Sequence, residues 1–215
     1  PKLIKLLRSD DFRIQTKIID AIVNIAENNF DQIWTNLINS LDTSDPIFKN
    51  NIINAMYQLA QGHIHEIFSY IFEELENPSE NIREGISLVF KRLYEEYQIE
   101  IENEITKILY GLESNYWRER EKNIILLRHI CFILQSRKIA VWITIELNQC
   151  LRVEYDSDVK NELNLTIDKV KKHFIGIDPT IKRIYNELNL FERKIYDFQK
   201  IPAKFRRKMN SLIEE

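Results

Sequence analysis

The chain has 215 residues, of which 44% are hydrophobic and 29% are charged, and its formal net charge is −3. This length and composition are typical of a soluble protein that buries a sizeable core. Only four glycines and five prolines are present, which leaves little material for the many turns of a β architecture. The composition therefore favours an all-α fold. No apolar run reaches the ~18 residues that a membrane span needs, so we expect no membrane-spanning segment.

The two cysteines, Cys131 and Cys150, both lie within apolar helical patterns. Two are far too few for a disulfide framework in a chain of this size. We interpret them as buried thiols in a reducing compartment. We expect no signal peptide, and a cytoplasmic localisation, or a nuclear one if the source is eukaryotic.

An apolar pattern at helical spacing recurs along the first half of the chain. It falls at i, i+4, i+7, i+8, i+11 and i+12, which is one face of an α-helix, and it recurs twice with a step of 34 residues. The three copies are Ile14, Ile18, Ala21, Ile22, Ile25 and Ala26; Phe48, Ile52, Ala55, Met56, Leu59 and Ala60; and Ile82, Ile86, Val89, Phe90, Leu93 and Tyr94. Looser copies begin at Glu119 and Val159. A fixed repeat of this length predicts stacked helix pairs.

Turn signals mark where the helices of about five pairs begin. Asp45-Pro46, Asn77-Pro78 and Asp178-Pro179 each place a capping side chain before a proline, whose fixed φ suits the first helical position. The predicted helices cover 2–8, 11–27, 30–42, 46–61, 64–76, 79–97, 99–112, 116–135, 137–152, 157–175, 179–200 and 203–214. Helix 116–135 is apolar almost all round its second half, so we expect it to be the most buried helix.

The turns share a second pattern, which runs from a leucine through an acidic turn to a hydrophobe and a basic residue. The clearest examples run from Leu7 to Gln15, from Leu41 to Lys49 and from Leu75 to Arg83. These stretches resemble HEAT repeats, which belong to the armadillo-like helical-repeat family, and the resemblance covers roughly residues 3–171. It implies a right-handed α-solenoid of about five helix pairs plus a C-terminal helical tail.

The resemblance also implies a ladder of polar contacts between neighbouring turns. Its basic positions are Gln15, Lys49, Arg83, Arg120 and Lys160, where Gln15 departs from the pattern. Its acidic turn positions are Asp11, Asp45 and Asp156, with Ser79 and Tyr116 in place of the acid in the other two turns.

We assign residues 1–176 to the solenoid and residues 177–215 to a tail with a heptad pattern. The apolar seam of the tail consists of Ile181, Ile184, Leu188, Phe191, Ile195 and Phe198. Two interpretations remain open. Either the tail folds back as a cap on the last repeat, or it makes a coiled-coil or helix-in-groove contact with another chain, including a second copy of this one.

No catalytic constellation is evident in the sequence. His63 and His65 place two imidazoles near one turn, but no third ligand has a fixed spacing to them, so we interpret both as solvent-facing turn residues. There is no Cys-x-x-Cys, no glycine-rich phosphate loop and no Gly-x-Ser-x-Gly. We therefore expect a non-enzymatic protein with no cofactor and no metal.

An alternative is a nucleic-acid-binding protein related to the DNA-alkylation-repair glycosylases. That HEAT-like family has enzymes of this length, with a basic concave groove and a catalytic aspartate. The present chain is acidic overall, with a pI of about 5.9, and no motif in it identifies a residue equivalent to the catalytic aspartate of that family.

Charge is distributed unevenly along the chain. The stretch from Glu73 to Glu104 has a net charge of −7, and the stretch from Lys169 to Lys208 has a net charge of +8. One interpretation, which we favour, is that these charges only keep the helix faces solvated. The other is that they steer association with a basic partner at the middle, an acidic partner at the tail, or another copy of the chain. Nucleic acid is the alternative partner for the basic tail, at Lys204, Arg206, Arg207 and Lys208.

Two further sets of residues are candidates for partner binding. The second helices of the pairs are expected to line the concave face and to expose Glu66, Tyr70, Glu73, Glu100 and Glu104. Tyr116 and Trp117 lie in the turn that opens the fourth pair, where an indole is a suitable partner anchor. The other interpretation, which we favour, is that Trp117 folds inward where the repeat register breaks. The sequence thus predicts a scaffold or adaptor for a protein partner.

Overall fold

A computed structural model describes residues 2–175 together with Arg183 and Glu187. Every regular element in this part of the chain is helical, which confirms the predicted all-α class for it. The helices are α1 (Lys2–Lys5), α2 (Phe12–Ala26), α3 (Phe30–Ser40), α4 (Pro46–Gly62), α5 (Ile64–Glu74), α6 (Glu80–Glu96), α7 (Gln98–Tyr110), α8 (Trp117–Leu134), α9 (Arg137–Val153) and α10 (Ser157–Val170). Short 3₁₀ turns follow α1 and α7, at Leu6–Arg8 and Gly111–Glu113, and a π-helical turn follows α10 at Lys171–Ile175.

The chain divides into two compact units, unit 1 (Pro1–Thr106) and unit 2 (Lys107–Glu215). In unit 1, α2, α4 and α6 are the first helices of successive pairs, and α3, α5 and α7 are the second helices. The first helix α4 packs against both α2 and α6, while α3 and α5 lie against the first helices. In unit 2, α8 packs against α10, and α9 contacts both. Within each unit, helices one repeat apart are therefore neighbours, as the repeat pattern predicts.

The helix starts confirm one of the two predicted Asx-Pro caps in the described residues. The Asp45 carboxylate accepts hydrogen bonds from the backbone N–H groups of Ile47 and Phe48, both at 3.1 Å, and Pro46 is the first residue of α4. The predicted cap at Asn77-Pro78 is wrong. Ser79 caps α6 instead, because the Asn77 side chain accepts from the Ser79 N–H at 2.9 Å and so closes the preceding turn. Asp178-Pro179 lies outside the described residues.

The predicted apolar face is fully buried in the second copy of the repeat and only partly buried in the first. Phe48 and the other five members of the second copy are at most 5% exposed, whereas Ile14 and Ile25 in α2 are 48% and 47% exposed. The reason is position, because α2 has a neighbouring first helix, α4, on one flank only. Among the described helices, α4 has the most buried residues, eight of seventeen, so the prediction that helix 116–135 is the most buried is wrong.

The leucines that end the second helices are buried and set the packing of the next repeat. Leu41 directly follows α3, Leu75 directly follows α5, and both are at most 2% exposed. A Cβ atom at Gly85 would lie 2.7 Å from Leu41 Cδ2. Glycine at this position of α6 therefore allows the helix backbone to approach Leu41 closely.

The predicted tail, residues 177–215, lies outside the described residues except at two positions. Arg183 and Glu187 are helical and exposed, and Arg183 Nε lies 3.7 Å from Glu187 Oε1. Neither belongs to the predicted seam. Within the described residues, no helix is both long enough and apolar enough to cross a membrane.

Candidate functional site

The turns before α8 and α10 are joined by a buried ion pair within unit 2. Arg120, in the first turn of α8, donates through Nε and Nη2 to the two carboxylate oxygens of Glu154, at 2.8 and 2.9 Å. Its Nη1 donates to the Ser114 carbonyl at 2.7 Å. The side chains of Arg120 and Glu154 are only 5% and 6% exposed. The Arg120 guanidinium therefore links the turn before α8 to the turn before α10 along one edge of unit 2.

Both charges of this pair are stabilised by their surroundings. Hydrogen bonds to Glu154 raise the pKa of Arg120, against the lowering effect of burial. Burial alone would raise the pKa of Glu154, but the hydrogen bonds from Arg120 and from the backbone N–H groups of Asp156 and Tyr155 outweigh it. The pKa of Glu154 consequently lies below its ordinary value, and the pair is ionised at neutral pH.

Three aromatic side chains lie exposed along this edge, and we call Tyr116, Trp117 and Tyr155 the aromatic edge of unit 2. Tyr116 is 76% exposed and Tyr155 is 78% exposed, with the Tyr155 ring 5.3 Å from the Arg120 guanidinium carbon. Trp117 is 38% exposed and lies 5.1 Å from the guanidinium carbon of Arg118. The favoured prediction that Trp117 folds inward is wrong, since the buried residue in the first turn of α8 is Arg120, which is 4% exposed.

A related pattern of contacts stabilises the turns of unit 1. Gln15 Nε2 donates to the Ser9 carbonyl at 2.6 Å, and Arg83 Nη1 donates to the Asn77 carbonyl at 2.6 Å. Lys49 instead reaches α6, where its Nζ lies 3.3 Å from Asn81 Oδ1 and pairs with the Glu84 carboxylate. Gln15 and Arg83 therefore stabilise the turns before their own helices, and of these three positions only Lys49 makes the predicted contact with a neighbouring repeat.

The predicted second-helix residues of unit 1 fall on an acidic surface. Glu66 and Glu73 on α5 are exposed, Tyr70 is half-buried between them, and Glu100 and Glu104 on α7 are half-buried. Neither α3 nor α5 contains a lysine or an arginine, and α7 contains none within unit 1. We call these five residues the acidic surface of unit 1.

Tyr70 also connects α5 to the preceding second helix. Its hydroxyl donates to Asp31 Oδ1 on α3 at 2.5 Å, and this hydrogen bond raises the Tyr70 pKa. The phenolic oxygen is therefore already engaged within unit 1.

His63 is not the solvent-facing turn residue that the sequence predicts. Its ring lies 4.4 Å from the Phe30 ring between centroids, and its Nδ1 is 3.2 Å from Glu66 Oε2. The residue is half-buried because it contacts both Phe30, the first residue of α3, and Glu66 on α5. The side chain of His65 lies outside the described atoms. Among the described residues, no group of three His, Cys, Asp or Glu side chains is placed to hold a metal ion.

The two thiols are free and both are shielded. Cys131 is buried and Cys150 is half-buried. Burial raises the pKa of Cys131 to about 12 and that of Cys150 to about 11, with nearby carboxylates adding to the shift of Cys150. Both thiols are therefore protonated at neutral pH. Lys204, Arg206, Arg207 and Lys208 lie outside the described residues.

No model of a known protein family matches the chain, and no curated protein matches it. A solved structure described by the words "TOG-tubulin binding specificity promotes microtubule dynamics and mitotic spindle formation" is similar to the chain at 16% identity. The similarity covers 86% of this chain and 80% of that one, with a TM-score of 0.27. A TM-score this low carries no argument about fold or function.

Proposed function

We propose that the chain is a non-enzymatic scaffold or adaptor, built as a right-handed HEAT-like solenoid, that binds another protein. The observation that carries the proposal is the aromatic edge of unit 2. Tyrosine, tryptophan and arginine are enriched among the residues that dominate the energy of protein interfaces. Here Tyr116, Trp117 and Tyr155 lie exposed beside Arg118 on one edge.

The support beneath this edge favours a binding role. Arg120 is buried, engages Glu154 with two hydrogen bonds and engages the Ser114 carbonyl with a third, so the two turns are fixed relative to each other. Side chains on a preorganised surface lose little further conformational freedom on association. Tyrosine and tryptophan in particular offer large contact areas with only two rotatable side-chain angles.

The acidic surface of unit 1 is a second region that we assign to partner contact. Glu66 and Glu73 are exposed there, and the second helices around them carry no lysine or arginine within unit 1. A uniform charge of this kind raises the association rate with a basic partner and makes it depend on ionic strength.

Affinity purification of the intact chain from its source cells, with and without nuclease, tests the proposal. We expect co-purifying proteins that survive nuclease treatment and are lost from the triple variant Tyr116→Ala, Trp117→Ala and Tyr155→Ala. Tyr110→Ala is the matched control, since Tyr110 is 63% exposed but lies outside the aromatic edge. Partners that disappear with nuclease would favour nucleic-acid binding, and partners retained by the triple variant would contradict the proposed edge.

A further inference from the structure

A groove of about 550 Å³ lies between α2 and α4, on the first helices of unit 1. It is lined by Asp20, Val23, Asn24, Tyr57, Gln58 and Gln61. This groove involves neither the aromatic edge of unit 2 nor the acidic surface of unit 1. Five of its six lining side chains are polar, which is unusual for a cleft between two helices packed through their apolar faces.

One wall of the groove is fixed by hydrogen bonds. Gln61 Nε2 donates to the Tyr57 hydroxyl at 3.2 Å and to Glu96 Oε2 on α6 at 3.0 Å. Burial and a hydrogen bond to Glu96 together raise the pKa of Tyr57 to about 12, so its hydroxyl stays protonated. The α4 side of the groove is therefore held in place by α6.

The other polar side chains are available to a ligand. Within the described part of the chain, the side chains of Asp20, Asn24 and Gln58 form no hydrogen bond, and all three are exposed. An amide side chain offers both a donor and an acceptor, as does each residue of a peptide backbone. Asn24 on α2 and Gln58 on α4 thus present matching groups from the two helices that form the groove.

We propose that this groove binds an extended segment of another protein through the segment's backbone, with a lysine or arginine side chain of the segment against Asp20. Charge favours a basic segment, since unit 1 contains nine Lys and Arg against eighteen Asp and Glu. On the α6 side, Arg92, whose charge acts on Tyr57, already donates to Asn54 Oδ1 at 2.6 Å. The proposal is independent of the aromatic edge.

Binding of defined peptide probes to the intact protein tests this proposal. The probes are three blocked pentapeptide libraries with a fixed central residue. The first has a central lysine, the second a central glutamate, and the third a central lysine with N-methylated backbone amides. Binding is followed through the side-chain amide signals of ¹⁵N-labelled protein and through fluorescence anisotropy. We expect the lysine library to shift the signals of Asn24 and Gln58, and the other two libraries to leave them unchanged.

Variants separate the groove from general electrostatic attraction. Asp20→Asn and the pair Asn24→Ala with Gln58→Ala should each weaken binding of the lysine library about threefold to tenfold, the effect expected for losing one or two exposed hydrogen bonds. Asp10→Asn is the matched control, because it removes one exposed carboxylate from the same unit outside both the groove and the acidic surface, and it should leave binding within about twofold.

Three outcomes would overturn the proposal. Equal binding of the N-methylated library would show that the backbone is not recognised. Equal weakening by Asp10→Asn and Asp20→Asn would show that the probe follows net charge alone. A change in the sedimentation of the intact protein caused by Asp20→Asn would show that the groove is occupied by a second copy of this chain.

Discussion

The buried pair of Arg120 and Glu154 offers a quantitative test of how unit 2 is held together. Replacing Glu154 with alanine leaves a guanidinium that is 5% exposed and has lost its carboxylate, while its hydrogen bond to the Ser114 carbonyl remains. It also removes the acceptor of the backbone N–H groups of Tyr155 and Asp156, both bonded at 2.9 Å. Breaking a buried pair from one side costs about 3–5 kcal/mol, so we expect Glu154→Ala to lose about that much stability.

The chain contains a matched control for this prediction. Lys49 and Glu84 form an ion pair across 35 residues in unit 1, close to the 34 that separate Arg120 and Glu154, but Glu84 is 64% exposed. Exposed pairs contribute ~0–1 kcal/mol, so Glu84→Ala should have a small effect. The double variant Arg120→Met and Glu154→Ala should lose less stability than Glu154→Ala alone, because no buried charge is then left without a partner.

The assay is urea denaturation followed by tryptophan fluorescence, with hydrogen exchange by mass spectrometry to resolve the two units. Loss of protection in Glu154→Ala should be confined to peptides from unit 2. The reasoning is refuted if Glu154→Ala and Glu84→Ala lose equal stability, or if the double variant is less stable than Glu154→Ala.

Further predictions concern the packing at Gly85, the charge of Glu154 and the basic residues of the tail. Gly85→Ala should destabilise unit 1 by about 1–3 kcal/mol in thermal melts, because the new methyl group meets the fully buried Leu41. Gly62→Ala is the control and should be neutral or stabilising, because a Cβ atom there would have nothing within 4 Å. The stabilising effect of the Glu154 carboxylate depends on pH, because the folded state lowers its pKa. The effect is complete above the unfolded pKa of about 4.3 and is lost as pH falls through the folded pKa. Urea midpoints of the wild type and Glu154→Gln should therefore converge only below about pH 4. If the basic tail contacts Z phosphates, the logarithm of nucleic-acid affinity should fall with the logarithm of salt concentration with a slope of about −0.7Z to −0.9Z. Alanine at Lys204, Arg206, Arg207 and Lys208 should flatten that slope. Sequence-selective binding at physiological salt would instead favour the nucleic-acid function.

The helices were predictable because their determinants are local. The apolar spacing and the caps predict α4 at 46–61, and the structure has it at Pro46–Gly62. The cap of α6 was missed because Asn77 and Ser79 are both good capping residues, and only the turn geometry decides between them. Apolar periodicity shows which residues share a helix face, but it does not show which of two nearby capping residues begins the helix.

Exposure was predicted less well, because it depends on what packs against a helix from elsewhere in the chain. Ile14 and Phe48 occupy the same position of the repeat, yet they are 48% and 5% exposed. The difference comes from the stacking order, since α4 lies between two first helices and α2 does not. The burial of Arg120 was hard to predict for the same reason, because its partner Glu154 is 34 residues away in the chain.

Three of the five ladder positions share a hydrogen bond to a turn carbonyl that does not depend on the charge of the donor. Gln15, Arg83 and Arg120 differ in charge and length, yet each donates to the carbonyl of the residue six positions earlier, at 2.6–2.7 Å. That carbonyl lies in the turn before the helix, and a partly buried carbonyl without a donor is costly. Gln15, which departs from the basic pattern in sequence, therefore keeps its structural role. The positive charge adds a second function only where a carboxylate of the following turn lies within reach, as Glu154 does for Arg120.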